Sequence, residues 1–162
     1  MFACAGMALA LLSWPVTWQA VASDLPGLIS GQAVVLAGDR IEIEGIEVRL
    51  WGIEAPKLDQ TCTLPGGDRW LCGQEAAQAL EAVIDRRRVH CQPMHRDPSS
   101  HLVARCDRDG AELGTWLVRN GWALDRPEVS DGRYSEEQDH AENASLGVWR
   151  GDFEPPSAWR EK

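Results

Sequence analysis

Three residues stand out for the chemistry they could do together: Asp39, Arg49 and Glu54. Asp39 follows Gly38 at the end of an apolar run, and Arg49 alternates with Val48 and Leu50. Glu54 stands just past that alternating segment. Carboxylate oxygens suit a hard divalent cation, and a guanidinium presents a fork of donors that matches a phosphate. Brought to strand ends beside a loop, the three could hold a cation and a phosphate group. On these residues alone, ordinary charges on the surface of a twisted barrel are the stronger explanation. His90 and His95 lie five apart around a strand and are expected on opposite faces, so they form no metal pair.

The elements that must position these groups are legible in the hydrophobic pattern. Residues 28–36 read as a strand, ended by Ala37-Gly38-Asp39. Ile41 and Ile43 alternate with Glu42 and Glu44, Gly45 turns the chain, and Ile46, Val48 and Leu50 alternate with Glu47 and Arg49. Residues 54–70 read as a loop carrying Pro56, Pro65, Gly66 and Gly67. Ala76, Ala79, Leu80, Val83 and Ile84 repeat at helical spacing, with Arg86-Arg87-Arg88 expected to balance the dipole at the helix end. Segments 89–94 and 102–106 read as two strands around the turn at 97–100. Leu113, Trp116 and Leu117 mark a second helix stopped by Gly121. Ser135 and Gln138 resemble a capping box opening a third helix that ends near Gly147, and 148–162 read as a docked coil. Trp51, Trp70, Trp116, Trp122 and Trp149 are expected to be core packing. Five strands with helices between and after them predict an α+β, mainly β fold: a five-stranded barrel of the OB type with about three helices outside.

The chain's 162 residues suit one domain. A net charge of −9, with 25% charged and 44% hydrophobic residues, is a globular balance that excludes a disordered chain. It also excludes a general nucleic-acid coating protein, which needs a basic surface to displace counterions. Of the 16 basic residues only Lys57 and Lys162 are lysines. The stretch before Asp24 has no charged side chain, an apolar centre, and Ala20-Val21-Ala22 as small residues for cleavage. Residues 1–22 are therefore expected to be a signal peptide and 23–162 the domain, exported to the periplasm or secreted. Pro15, Thr17 and Gln19 argue against an uncleaved membrane span, so no stable anchor is expected after cleavage.

Cleavage removes Cys4 and leaves Cys62, Cys72, Cys91 and Cys106. An even number in an exported chain points to disulfides, and the absence of a C-x-x-C pair disfavours zinc. A hairpin centred between Pro98 and Ser99 sets Cys91 opposite Cys106, within the reach of a disulfide. Cys62 and Cys72 then close the second loop.

Several blocks in order resemble the thermonuclease, or staphylococcal-nuclease-like, family: Ala37-Gly38-Asp39, Val48 through Pro56, Gln60-Thr61-Cys62 and Cys72 through Ala77. Leu117 through Ala123, Gly147-Val148-Trp149, Phe153 through Pro156 and Trp159-Arg160 continue it. The resemblance implies an OB-type barrel and calcium-dependent hydrolysis of DNA or RNA phosphodiesters. It places Asp39 and Glu54 at the metal-ligand positions and Arg49 at the first phosphate-binding arginine. It also marks departures: Glu54 stands where the family usually has aspartate, the tyrosines expected after Ala123 are missing, and two positions central to the reaction are changed. Lys57 stands where the family carries its catalytic glutamate, and an ammonium has no lone pair with which to take a proton from water. His101 takes the position of the second arginine and lacks its bidentate fork. Hydrolysis is accordingly expected to be impaired, with Lys57 reaching Asp39 and Glu54 in place of calcium. The alternative is an active nuclease with a displaced base such as Asp59, with Arg96 or Arg105 approaching the phosphate. Calcium is the one cofactor implied, and the substitutions are equally consistent with none. Weak nucleic-acid binding and an unidentified protein partner are the partner expectations.

Overall fold

The computed structural model describes residues 25–159, and the expected signal segment lies outside them. The strands are β1 (Ile29–Ala37), β2 (Arg40–Ile43), β3 (Ile46–Leu50), β4 (Ile53–Glu54), β5 (Cys62–Thr63), β6 (Arg69–Trp70), β7 (Arg88–Arg96), β8 (Leu102–Arg108), β9 (Ala111–Glu112) and β10 (Leu124–Asp125). The helices are α1 (Cys72–Ile84), α2 (Leu113–Arg119), α3 (Pro127–Ser130) and α4 (Ser135–Asn143), followed by a 3-10 turn at Gly147–Arg150.

Antiparallel pairing runs β3-β2-β1-β7-β8, and a parallel pairing of β3 with β8 closes these five strands into a barrel. This is the expected OB-type α+β architecture. The β2–β3 hairpin turns on Glu44 and Gly45, both with positive φ, the backbone that a tight hairpin of this hand requires. Inward residues Ile41, Ile43, Val48, Leu50, Val89, Leu102 and Ala104 form the core with Leu80 and Ile84 of α1 and Leu113 and Leu117 of α2. Gly31 lets β1 approach β2 closely, since a Cβ there would lie 2.7 Å from Ile43.

Both expected disulfides are present, Cys62–Cys72 and Cys91–Cys106. Cys91 and Cys106 are register partners on β7 and β8. The ladder shifts by one residue between Pro93 and His95, so the turn is centred on Ser99 rather than between Pro98 and Ser99. Proline has no N–H for a ladder, and its place beside the bulge is where a strand tolerates it.

Three local expectations need correction. Ser135 is not a cap: Tyr134 occupies the N-cap of α4 without a side-chain capping bond, and Gln138 instead accepts from the Asp125 N–H. The chain enters α4 through a tight turn at Asp131 and Gly132, both with positive φ, so Ser135 is already helical. The arginine run lies past α1, whose last turn carries no basic residue. Arg87 pairs with Asp109 and Arg88 bonds the Ser30 carbonyl. Residues 127–130, unassigned from sequence, form α3 behind Pro127 at the first helical turn.

Of the segment expected as a docked coil, residues 148–150 belong to the 3-10 turn, and Asp152 is bonded to Thr63 in the 54–70 loop. The segment completes a second cluster of Cys62, Cys72 and Val148, with Trp70, Trp149 and Phe153 packed against it. Trp51, Trp116 and Trp122 pack against the main core, as expected of them. Among the described residues no helix is long and apolar enough to cross a membrane.

Candidate active-site cleft

Asp39, Arg49, Glu54 and Lys57 line one cleft of about 290 Å³. Each is delivered by a different local device. Gly38 sits so tightly that a Cβ would lie 2.8 Å from Ala55 and 2.9 Å from Ala76. That approach sets Asp39 against the turn after β4, where its Oδ2 accepts from the Ala55 N–H at 3.2 Å. Burial pushes the Asp39 carboxyl above its usual range, against the Ala55 bond and the charges of Lys57, Arg40 and Arg49. Arg49 projects from β3 beside the closing contact with β8, its Cα opposite Val103. Glu54 is held by the two-residue ladder with Leu124.

Lys57 extends from a turn fixed by the buried Gln60, whose Oε1 accepts from the Lys57 N–H at 3.1 Å. The Lys57 carbonyl rests on Gly73, where a Cβ would come within 1.7 Å of it. The Lys57 ammonium meets Glu54 Oε1 at 3.0 Å. Its effect on Asp39 is through space, a coulombic lowering, so of the two expected partners it contacts Glu54.

His101 does not line the cleft. Its Nδ1 lies 3.2 Å from Asp97 Oδ2, and the same carboxylate oxygen receives Arg49 Nε at 3.3 Å. Burial tends to raise the Asp97 carboxyl, but hydrogen bonds from the His101 backbone and ring and from the Ser99 N–H hold it below the usual range. Of the rescue candidates, Arg96 lines the cleft with its guanidinium bonded to the Ser100 carbonyl. Arg105 is committed elsewhere, bidentate to Glu112. Asp59 is exposed and is not among the residues that line the cleft. His95 lines the cleft whereas His90 bonds Ser30.

Sequence reasoning missed Arg126, Gln60 and the role of Asp97. Arg126 lines the cleft, its N–H bonded to the Gly52 carbonyl and its guanidinium paired with Glu128. The signal for it was Pro127, which marks a helix start immediately after the arginine. Asp97 opens an Asp-Pro-Ser-Ser turn, and aspartate at a turn start commonly bonds the backbone ahead of it.

Calcium takes six to eight oxygen ligands. Here one Asp39 oxygen is bonded to a backbone N–H, and one Glu54 oxygen to an ammonium. Among the described residues no three His, Cys, Asp or Glu side chains converge as metal ligands would. The donor set does not fit calcium. What the cleft does present is an arginine fork mounted on Asp97, with a lysine–glutamate pair beside it.

The profile of the family described as staphylococcal nuclease homologue matches residues 47–151. The match takes in Arg49, Glu54, Lys57 and His101 and begins after Asp39. The chain is also 37% identical over 134 residues to the succinoglycan biosynthesis protein ExoI of Rhizobium meliloti (strain 1021), covering 82% of this chain and 70% of that protein.

Proposed function

The chain belongs to the staphylococcal nuclease homologues, and from that footing we propose that its cleft engages phosphate-bearing chains while hydrolysis is impaired. The observation that carries this is the contact of Lys57 with Glu54 at 3.0 Å. Where the family reaction needs a base to deprotonate water, this chain offers an ammonium already bound to a would-be metal ligand. Losing a general base costs ~10²–10⁴ in rate, and losing one donor to developing charge ~10²–10³. Even partly non-additive, the two substitutions bring hydrolysis close to background.

Lys57 then acts as a fixed counter-charge in the place of the cation, relieving repulsion between Asp39 and Glu54. The R. meliloti relative is named for succinoglycan biosynthesis and not for nuclease activity, which fits a member with a role other than nucleic-acid degradation. Export through residues 1–22 is part of this proposal, and two disulfides suit an oxidising compartment.

Digestion of plasmid and RNA with calcium, with manganese and with EDTA is the test. Background cleavage throughout is expected, with the double substitution Lys57→Glu and His101→Arg restoring some calcium-dependent cleavage. Calcium-dependent cleavage by the natural protein, abolished by Asp39→Ala, would overturn the proposal. Terminal sequencing of the exported protein is expected to begin at Ser23.

A further inference from the structure

The geometry points to Asp97 and His101 as positioning residues that aim Arg49 into the cleft, a role resting on the proposal above that the cleft engages anionic groups. Asp97 is tied on both oxygens. Its Oδ1 accepts from the Ser99 and His101 N–H groups at 2.8 and 2.9 Å. Its Oδ2 faces His101 Nδ1 at 3.2 Å and Arg49 Nε at 3.3 Å. The loop beneath is closed by its own backbone bonds, Asp97 N–H to the His101 carbonyl and Ser100 N–H to the Asp97 carbonyl. The Asp97 side chain is 15% exposed, whereas that of Arg49 is 44% exposed, so a rigid mount carries a reaching arm.

Asp97 meets Arg49 as an ion pair on the Nε side of the guanidinium, so the charge of the carboxylate draws that side onto the mount. A guanidinium anchored at Nε loses less freedom on meeting an anion than one that must be ordered at that moment. His101 stands where the family places a second arginine, yet it lies outside the cleft lining and works through Asp97. At this position a direct contact of a second arginine with the ligand is thus replaced by a support braced behind Arg49.

Two measurements on the intact domain test this: ¹⁵N NMR of the Arg49 Nε–H, and calorimetric binding of sulfate, whose charge is constant across neutral pH. In the natural protein the Nε–H signal is expected to carry the chemical shift of a guanidinium held beside a carboxylate. Asp97→Asn keeps an oxygen for the loop amides but removes the charge facing Arg49. It should lose that shift and weaken sulfate about tenfold, with little change in Tm. His101→Ala should do the same in part, and His101→Gln, whose amide can still donate to Asp97, should rescue it. An unchanged Nε–H signal and unchanged sulfate affinity in both Asp97→Asn and His101→Ala overturn the mount. If Asp97→Asn fails to fold, the two His101 variants decide alone. Absence of sulfate binding, with the Nε–H shift lost in the variants, leaves the mount standing and removes the anion-binding proposal instead.

Discussion

Lys57 and Glu54 form a pair that contributes little to stability and much to the character of the cleft. The lysine side chain is 46% exposed, and exposed ion pairs are worth about 0–1 kcal/mol. Lys57→Met is therefore expected to leave Tm nearly unchanged. Lys57→Glu should gain calorimetrically detectable calcium binding, because a third carboxylate replaces the ammonium beside Asp39 and Glu54; no calcium binding in that variant would count against the counter-charge role.

Glu112 is the opposite case, a carboxylate that matters for folding. Burial works to raise its pKa, but hydrogen bonds from Arg105, Tyr134 and Arg133 outweigh it and bring it down to about 2. A depressed folded-state value means the stabilisation is complete above the unfolded value near 4.5 and fades as pH falls towards 2. At neutral pH it is worth on the order of 3 kcal/mol. The Tm gap between the natural protein and Glu112→Gln should accordingly be widest above pH 5 and narrow as the pH approaches 2. A gap that is constant over that range would sink this assignment. The residues at strand ends were legible because short alternating runs place them locally. His101 was not, since alignment gives its position along the chain but not that Asp97, four residues earlier, captures its ring.

At the scale of elements, the N-terminus of α1 and the loop before it form one unit. Gln60 is fully buried and spans three segments. It accepts from the Lys57 N–H, donates to the Glu154 carbonyl, and its own carbonyl receives the Gly73 N–H. Cys62–Cys72 staples the same loop to the helix. Replacing Gln60 with Leu strands two of these partners, which should cost about 1–3 kcal/mol in denaturant melts. Gly73→Ala should move the Lys57 turn, given the 1.7 Å approach, and alter cleft binding more than the exposed position of Lys57 would suggest.

The period of α1 and the end of α2 at Gly121 were plain in the sequence. The start of α4 was not, because Ser135 and Gln138 satisfy a capping pattern while the turn geometry before them has already begun the helix. Gln138 is instead used to bond the N–H of Asp125, a contact that no spacing rule within one helix could reveal.

For the whole molecule, the order of the strands followed from alternation and turn residues. The parallel β3–β8 contact that closes the barrel did not, since it joins segments some fifty residues apart through Val48, Arg49 and Leu50. The family resemblance supplied that closure, and the pairing register supplied its detail. The Cys91–Cys106 bridge crosses the long hairpin within the main core, whereas Cys62–Cys72 lies in the second cluster. In the chain-entropy account a loop of this length contributes roughly 3 kcal/mol. Cys91→Ala with Cys106→Ala should lower Tm substantially, and both sulfurs, almost wholly buried, should resist reductant until denaturant is added.

The bond from Gln60 to Glu154 joins positions 94 residues apart. The support behind Lys57 is therefore not local: a carbonyl far along the chain helps to hold the turn that presents the ammonium. Cutting the chain before Glu154 is expected to leave the five-stranded barrel closed while the Lys57 turn loosens, so a change remote in sequence would be felt at the cleft.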